Sequence, residues 1–151
     1  MPFDRLILAL SAWAKKQSNS VEIFSQIGDT DITPSLMRTA SSLSPSAFRN
    51  AVQDAEIVVA HAGMGAVLTA MEFGKRLVVL PRLGALQETR NDHQVATANW
   101  LSQKPGVYVA MSESELGGAI DRARSEPLGT KEISPFATPE LIAALKTYIL
   151  S

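Results

Sequence analysis

The chain has 151 residues, of which 46% are hydrophobic, and this is enough for one domain, residues 1–151, to bury a core. Its 14 basic and 15 acidic residues give a formal net charge of -1, so the chain lacks the positive field that non-specific nucleic-acid binding requires. It contains no cysteine, which excludes disulfides, thiolate metal sites and cysteine nucleophiles and is compatible with a reducing compartment.

No segment of the sequence predicts a membrane span or a secretion signal. The longest apolar runs, such as residues 57–60 and 77–80, are far shorter than the roughly 20 residues that cross a bilayer. The first residues include the acidic Asp4 and have no basic region ahead of an apolar stretch. We therefore expect a cytoplasmic protein.

The first third of the chain predicts a helix, a strand and a second helix. Apolar residues recur at helical spacing up to Trp13, and an alternation of apolar and polar residues typical of a strand begins at Val21. The next helix is predicted over residues 45–54, because Ser44 suits its N-cap and Pro45 its first position.

The middle of the chain predicts a parallel sheet. Two short apolar runs, residues 56–60 and 76–80, are typical of central strands that are covered on both faces. Residues 64–73 between them are long enough for a crossover helix, so the three segments predict one βαβ unit. The fold class is therefore predicted to be α/β, with a parallel sheet and helices on both of its faces.

The remainder of the chain continues the alternation of helices and strands. Ser112 and Thr138 suit the N-caps of two of these helices. The predicted elements are a helix, a strand, a helix, a connector and a last helix, at residues 92–103, 106–109, 112–124, 126–137 and 138–150.

A glycine-rich segment, residues 61–66, lies where the first buried strand ends and the crossover helix begins. In open parallel sheets, ligands bind beyond the carboxyl ends of the strands, and the free N–H groups of a helix N-terminus attract phosphate. Gly63 and Gly65 would let a ligand come close to the backbone. The pattern indicates a phosphate site, and the alternative is a tight strand-to-helix turn that binds no ligand.

The crossover helix is expected to have a core face and a ligand face. At about 100° per residue, Gly65, Thr69 and Glu72 share one flank. Thr69 and Glu72 are candidates to accept hydrogen bonds from ribose or sugar hydroxyls, because hydroxyl and carboxylate oxygens suit polyols. An ordinary solvated glutamate is the alternative for Glu72. The residues expected on the core face are Met64, Val67, Leu68 and Met71.

A second polar cluster follows the next strand and therefore reaches the same edge of the sheet. It consists of Arg82 and residues 87–94, and its convergence with the glycine-rich segment favours a binding site. A solvated loop with an Asn or Asp helix cap is the alternative. The two histidines of the chain, His61 and His93, both lie in this region, and histidine commonly serves as a general base.

Five short motifs stand out along the chain: Pro-Phe-Asp-Arg-Leu at residues 2–6, His-Ala-Gly-Met-Gly at 61–65, Glu-Phe-Gly-Lys at 72–75, Leu-Val-Val-Leu-Pro-Arg at 77–82, and Arg-Asn-Asp-His-Gln at 90–94. Together they resemble the C-terminal domain of glycosyltransferase family 28, a Rossmann-like domain of GT-B architecture. The chain looks like the bacterial exopolysaccharide glycosyltransferase subunits. Those are similar to the catalytic subunit of the two-protein N-acetylglucosaminyltransferase of dolichol-linked glycan assembly.

The resemblance implies the donor-binding half of an inverting, UDP-sugar-dependent hexosyltransferase of polysaccharide or lipid-linked glycan biosynthesis. UDP would be the leaving group, and no metal or cofactor besides the UDP-sugar is implied. A membrane-anchored partner subunit would hold a lipid-linked acceptor and recruit this chain to the inner membrane face. The last predicted helix, residues 138–150, is a candidate to dock on that partner, with packing on the chain's own core as the alternative.

The resemblance also implies roles for single residues. The backbone of Gly63, Met64 and Gly65 would face the nucleotide and the diphosphate. Arg82 or Arg90 would add positive charge where the leaving diphosphate becomes more negative. The residues that would contact the donor sugar or its phosphates are Asn91, Asp92, His93 and Gln94.

His61 and His93 are the candidates for catalysis, with substrate binding as their other possible role, since the general base of two-domain relatives usually comes from the other half. Relatives often carry an acid where this chain has Thr69, so we expect ribose recognition to differ. They also have an apolar strand and a Gly-Thr loop ahead of the segment at residues 2–6, so we expect a sheet that lacks its first strand. A non-catalytic nucleotide-sugar-binding module is the alternative function, and a fragment of a UDP-sugar epimerase is a third.

Overall fold

The computed structural model describes residues 2–18 and 21–126, and these residues form an α/β fold, as predicted. The predicted last helix and all but the first residue of the predicted connector lie outside the described residues. The described elements in chain order are α1 (Asp4–Ala14), β1 (Phe24–Gln26), β2 (Arg38–Ala40), α2 (Pro45–Asp54), β3 (Ile57–Ala60), α3 (Met64–Glu72), β4 (Arg76–Val79), a 3₁₀ turn (Gly84–Leu86), α4 (His93–Leu101), β5 (Val107–Val109) and α5 (Glu113–Ser125).

The strands form two parallel ladders. In one, β1 pairs with β2, with Ser25 opposite Thr39. In the other, β4 lies between β3 and β5, with Val78 opposite both Val59 and Tyr108. Within the described residues no ladder joins β1 or β2 to the other three strands.

Helices cover both faces of the three-stranded ladder. Val78 and Leu80 belong to a buried cluster with α1 and α5, which pack against each other, and the Trp13 Nε1–H of α1 donates a hydrogen bond of 2.9 Å to Asp121 of α5. Leu77 belongs to a second buried cluster with α2, α3 and α4. Alternate side chains of β4 thus contact opposite helical layers, as expected for a strand of period two.

The burial of the two predicted central strands differs. Leu77, Val78 and Val79 of β4 are fully buried, which confirms that prediction. In β3, residues 57–59 are only half-buried. Ile57 and Val59 pack against one buried cluster and Val58 against the other, so the strand is covered on both faces as predicted but is less buried than β4. The reason is its position, because β3 is the terminal strand of its ladder in the described part of the chain.

Two further strand assignments differ from the sequence predictions. β1 begins at Phe24 and not at Val21, although burial alternates along residues 21–26 as the pattern predicts. Its partner β2, Arg38–Ala40, was not predicted at all. Because β2 lies at the end of its ladder and is largely exposed, its sequence has no apolar alternation from which to predict it.

The helix caps were predicted with mixed success. Ser44 caps α2 as predicted, because its hydroxyl accepts a hydrogen bond of 3.2 Å from the Ala47 N–H. Ser112 occupies the N-cap position of α5, but its hydroxyl lies 2.9 Å from that of Ser114 and makes no cap hydrogen bond. The Glu115 carboxylate instead accepts a hydrogen bond from the Met111 N–H.

None of the helices in the described ranges is long and apolar enough to cross a membrane.

Candidate functional site

The candidate site lies at the edge of the three-stranded ladder where its parallel strands end. The glycine-rich segment follows β3, and the loop that begins at Arg82 follows β4. The two strand ends are adjacent, since the Leu80 N–H donates to the carbonyl of Ala60 at 3.0 Å. The structure therefore brings the two predicted loops to the same edge of the sheet.

The turn between β3 and α3 presents an uncapped helix N-terminus. Gly63 is the N-cap residue, with φ -85° and ψ 130°, and its position has no side-chain cap hydrogen bond. Gly65, in the first turn, is exposed, and a Cβ added to it would have no other heavy atom within 4 Å. The free N–H groups of this turn and the helix dipole attract an anion, and the space above Gly65 leaves room for one.

Gly63 is required for a different reason, which is the close approach of His61. A Cβ at position 63 would lie 2.0 Å from Cε1 and 2.5 Å from Nδ1 of the His61 ring, so a larger residue would collide with it. The ring packs edge-on against Phe3, with the centroids 6.4 Å apart. With the His61 ring in this place, position 63 has room only for glycine.

The protonation of His61 follows from its surroundings. Burial, followed by the positive charge of Arg82, lowers the pKa of His61 below its ordinary value of 6.5, and a hydrogen bond with Gln94 opposes this shift. Its Nδ1 atom is buried and has no hydrogen-bond partner among the described residues. His61 is therefore neutral at pH 7 and is held within the site rather than exposed on its surface.

Arg82 connects the loop after β4 to the start of the chain and to α4. Its guanidinium lies 4.8 Å from the centroid of the Phe3 ring and donates hydrogen bonds to the carbonyls of Pro2 and Glu88. Its backbone N–H donates to the side-chain oxygen of Gln94 at 3.1 Å. Gln94, in the first turn of α4, thus interacts with both Arg82 and His61, so three predicted site residues form one cluster.

The segment before and at the start of α4 is largely exposed. Its hydrogen bonds are local, because Asp92 accepts from the Gly84 N–H at 2.9 Å and Asn91 accepts from the His93 N–H at 3.4 Å. Asp92 occupies the N-cap position but makes no side-chain cap hydrogen bond. The exposed residues are Arg90, Asn91, Asp92 and His93.

Thr69 and Glu72 on α3 already have partners in the structure. The Thr69 hydroxyl donates to the Gly65 carbonyl at 2.8 Å, a common helical back-bond that leaves the hydroxyl oxygen able to accept. Both carboxylate oxygens of Glu72 accept hydrogen bonds from Arg49 of α2, at 2.8 and 2.7 Å. These hydrogen bonds, and then the charge of Arg49, lower the pKa of Glu72. Any ligand of Glu72 would compete with Arg49.

The core face of α3 is close to the predicted one. Val67 is fully buried, and Met64 and Met71 pack against the same cluster, as predicted. Leu68 is only half-buried, whereas Ala70, which was not predicted in the core, is fully buried. A helix of nine residues on this sheet buries a face centred between Val67 and Ala70, one position away from the prediction.

Three residues that contact the site were missed from the sequence. They are Phe3, which packs against His61 and Arg82; Arg5, which bonds to Glu88; and Arg49, which bonds to Glu72. Phe3 and Arg5 belong to the motif at residues 2–6, but no local pattern assigned any of the three to the site, because each contacts it across 23 or more residues of chain. A groove of about 370 Å³ beside β1 and β2 is lined by residues 21–23 and 35–38, and none of the candidate residues lines it.

Comparison with family models matches residues 2–136 of the chain to the Glycosyltransferase family 28 C-terminal domain. No curated protein matches the chain at a significant level. The family match covers nearly the whole chain and includes every candidate site residue.

Proposed function

Because the chain belongs to the glycosyltransferase family 28 C-terminal domain family, and is thus a nucleotide-sugar-binding half of a glycosyltransferase, we propose that its donor is a UDP-sugar and that it transfers a hexosyl group with inversion. The transfer would serve polysaccharide or lipid-linked glycan biosynthesis. No metal or cofactor besides the donor is part of this proposal.

The observation that carries the proposal is the uncapped N-terminus of α3 with open space above Gly65. A diphosphate placed there accepts hydrogen bonds from the first-turn N–H groups and lies at the positive end of the helix dipole. Negative charge builds on the diphosphate as the bond to the sugar breaks. N–H groups already fixed in position stabilise that charge without reorganising, and Arg82 or Arg90 adds to the effect.

The remaining site residues are proposed to bind the rest of the donor. Thr69 lies one turn after Gly65 and accepts a ribose hydroxyl, while Glu72 contributes only if Arg49 releases it. The residues proposed to contact the donor sugar or its phosphates are Asn91, Asp92, His93 and Gln94.

A second protein is proposed to complete the enzyme. It holds the lipid-linked acceptor, recruits this chain to the cytoplasmic face of the membrane, and supplies the general base. His61 suits binding better than proton transfer to an acceptor, because its Nδ1 atom is buried. His93 is exposed at the start of α4 and is the histidine that an acceptor could approach.

Titration of the ¹⁵N-labelled chain with UDP tests the donor site. We expect amide shift changes concentrated at residues 63–66 and 90–94, and much smaller changes at residues 63–66 with uridine, which lacks the diphosphate. Changes confined to other residues, or none at millimolar UDP, contradict the proposal.

A transfer assay with the coexpressed partner tests catalysis. Turnover only in the complex supports the enzyme, whereas UDP binding without turnover favours a non-catalytic module.

A further inference from the structure

Arg5, in the first turn of α1, makes an extended set of contacts across the edge of the sheet. Its Nε and Nη2 donate to the two carboxylate oxygens of Glu88, both at 2.9 Å, in a bidentate pair. Nη2 also donates to the Pro81 carbonyl at 2.7 Å, and Nη1 to Glu113 at 3.1 Å. The side chain of Arg5 is only 9% exposed and that of Glu88 only 12%, so water competes little for this pair.

Glu88 also closes the loop that follows β4. Its carboxylate accepts a hydrogen bond of 2.9 Å from the Leu83 N–H, and its own N–H donates to the Leu83 carbonyl. The Arg82 guanidinium donates to the Glu88 carbonyl. The Glu88 carboxylate thus bonds both to Leu83, near the start of the loop, and to Arg5 of α1.

Two hydrogen bonds connect this loop to residues of the proposed donor site. The Arg82 N–H donates to Gln94, and the Gly84 N–H donates to Asp92. A shift of the loop therefore moves the groups that contact Gln94 and Asp92. Neither Arg5 nor Glu88 is itself among the exposed residues that would meet the donor.

We propose that Arg5 and Glu88 are positioning residues of the donor site, which set the place of Arg82 and of the segment at residues 90–94 without touching the nucleotide sugar. This inference rests on the proposed function. Burial raises the pKa of Glu88, but hydrogen bonds from Arg5 and the Leu83 N–H, with the charges of Arg5 and Arg82, outweigh it and lower that pKa overall. The carboxylate is therefore ionised at neutral pH.

The test compares matched changes in two ion pairs. Glu88→Gln is isosteric and removes the negative charge, whereas Arg5→Lys keeps the positive charge and removes the bidentate geometry. Glu22→Gln and Arg38→Lys make the same changes in an exposed pair, whose side chains are 80% and 73% exposed. Isothermal titration with UDP is run well below each melting temperature, so that every variant is folded. Amide exchange at Leu83 is measured without ligand.

We expect Glu88→Gln and Arg5→Lys each to weaken UDP binding about tenfold, and the double variant to be no weaker than the worse single one, because both act through the same contact. Exchange at Leu83 should accelerate in Glu88→Gln, and the control pair should change neither readout. Unchanged affinity in variants of a chain that binds UDP, even with a lower melting temperature, overturns this inference alone. A wild-type chain that binds no UDP overturns the proposed function, and this inference with it.

Discussion

Replacement of Gly65 by aspartate puts the proposed phosphate position to a direct test. Gly65 lies in the first turn of α3, is exposed, and has no other heavy atom within 4 Å of an added Cβ. The fold therefore has room for the new side chain. A negative charge in the first turn of a helix also interacts favourably with the helix dipole. We expect the variant to fold, and its carboxylate to occupy the space proposed for the diphosphate.

The size of the effect follows from Coulomb's law. Two like unit charges about 4 Å apart repel by about 4 kcal/mol at the dielectric constant typical of a protein surface, and by about 1 kcal/mol in bulk water. Gly65 is exposed, so the true value lies between these limits. Since each 1.4 kcal/mol is about tenfold in affinity, we expect Gly65→Asp to weaken UDP binding by roughly fivefold to a thousandfold.

Isothermal titration with UDP, at two salt concentrations, measures this loss. The matched control is Gly118 of α5, where an added Cβ would meet only Arg122 Nη1 at 3.8 Å, an ordinary contact. Gly118→Asp adds the same charge away from the site and should leave UDP affinity unchanged. Gly65→Ala and Gly118→Ala should each raise the free energy of unfolding by up to about 1 kcal/mol, since alanine favours a helix over glycine.

The UDP affinities of these variants decide whether a phosphate lies beside the first turn of α3. A loss of affinity confined to the Gly65 variants, larger for aspartate than for alanine and smaller at high salt, supports a phosphate above the first turn of α3. Equal UDP affinity in Gly65→Asp and wild type refutes it, because no diphosphate could then lie beside the new carboxylate.

Three further predictions concern the surroundings of the site and the core. Gly63→Ala should destabilise the chain by about 1–3 kcal/mol in urea unfolding, because its methyl group meets the His61 ring. Adding His61→Ala should recover most of this loss. A Gly63→Ala variant as stable as the wild type would contradict the prediction. In an NMR titration His61 should have a pKa below 6.5, so the free energy of unfolding should fall as the pH drops from about 6.5 towards that lower value. The variant His61→Gln should lose this pH dependence. A titration midpoint at or above 6.5 would be inconsistent with the burial of the ring. Leu116→Ala, at a fully buried position, should cost about 2–5 kcal/mol and leave the UDP affinity of the folded chain unchanged; a cost under about 1 kcal/mol argues against the described packing.

Much of the local structure could be predicted from short stretches of sequence. The Ser44–Pro45 pair marks the start of α2, and the apolar run in β4 marks a strand buried on both faces. The glycine-rich segment after β3 was correctly placed at a strand-to-helix turn. These features depend on residues within a few positions of each other, where capping, backbone conformation and side-chain period act directly.

Other features could not be predicted, because they depend on which segments become neighbours. The burial of β3 depends on whether a strand lies beside it, and the existence of β2 depends on its pairing with β1 and not on its own polar residues. The pairing of Arg5 with Glu88 joins residues 83 positions apart. Each side chain alone is equally compatible with a solvated surface.

The amino-acid sequence by itself determined the α/β class, the family and the two loops that meet at the edge of the sheet, because periodicity, capping and short motifs act over neighbouring residues. Only the tertiary structure decided that Arg49 bonds to the Glu72 carboxylate, that the His61 ring lies against Gly63, and that the part-buried ion pair of Arg5 and Glu88 holds the loop after β4. Those contacts arise only when segments that are distant in the chain pack together. No pattern within a short stretch of sequence records which segments become neighbours.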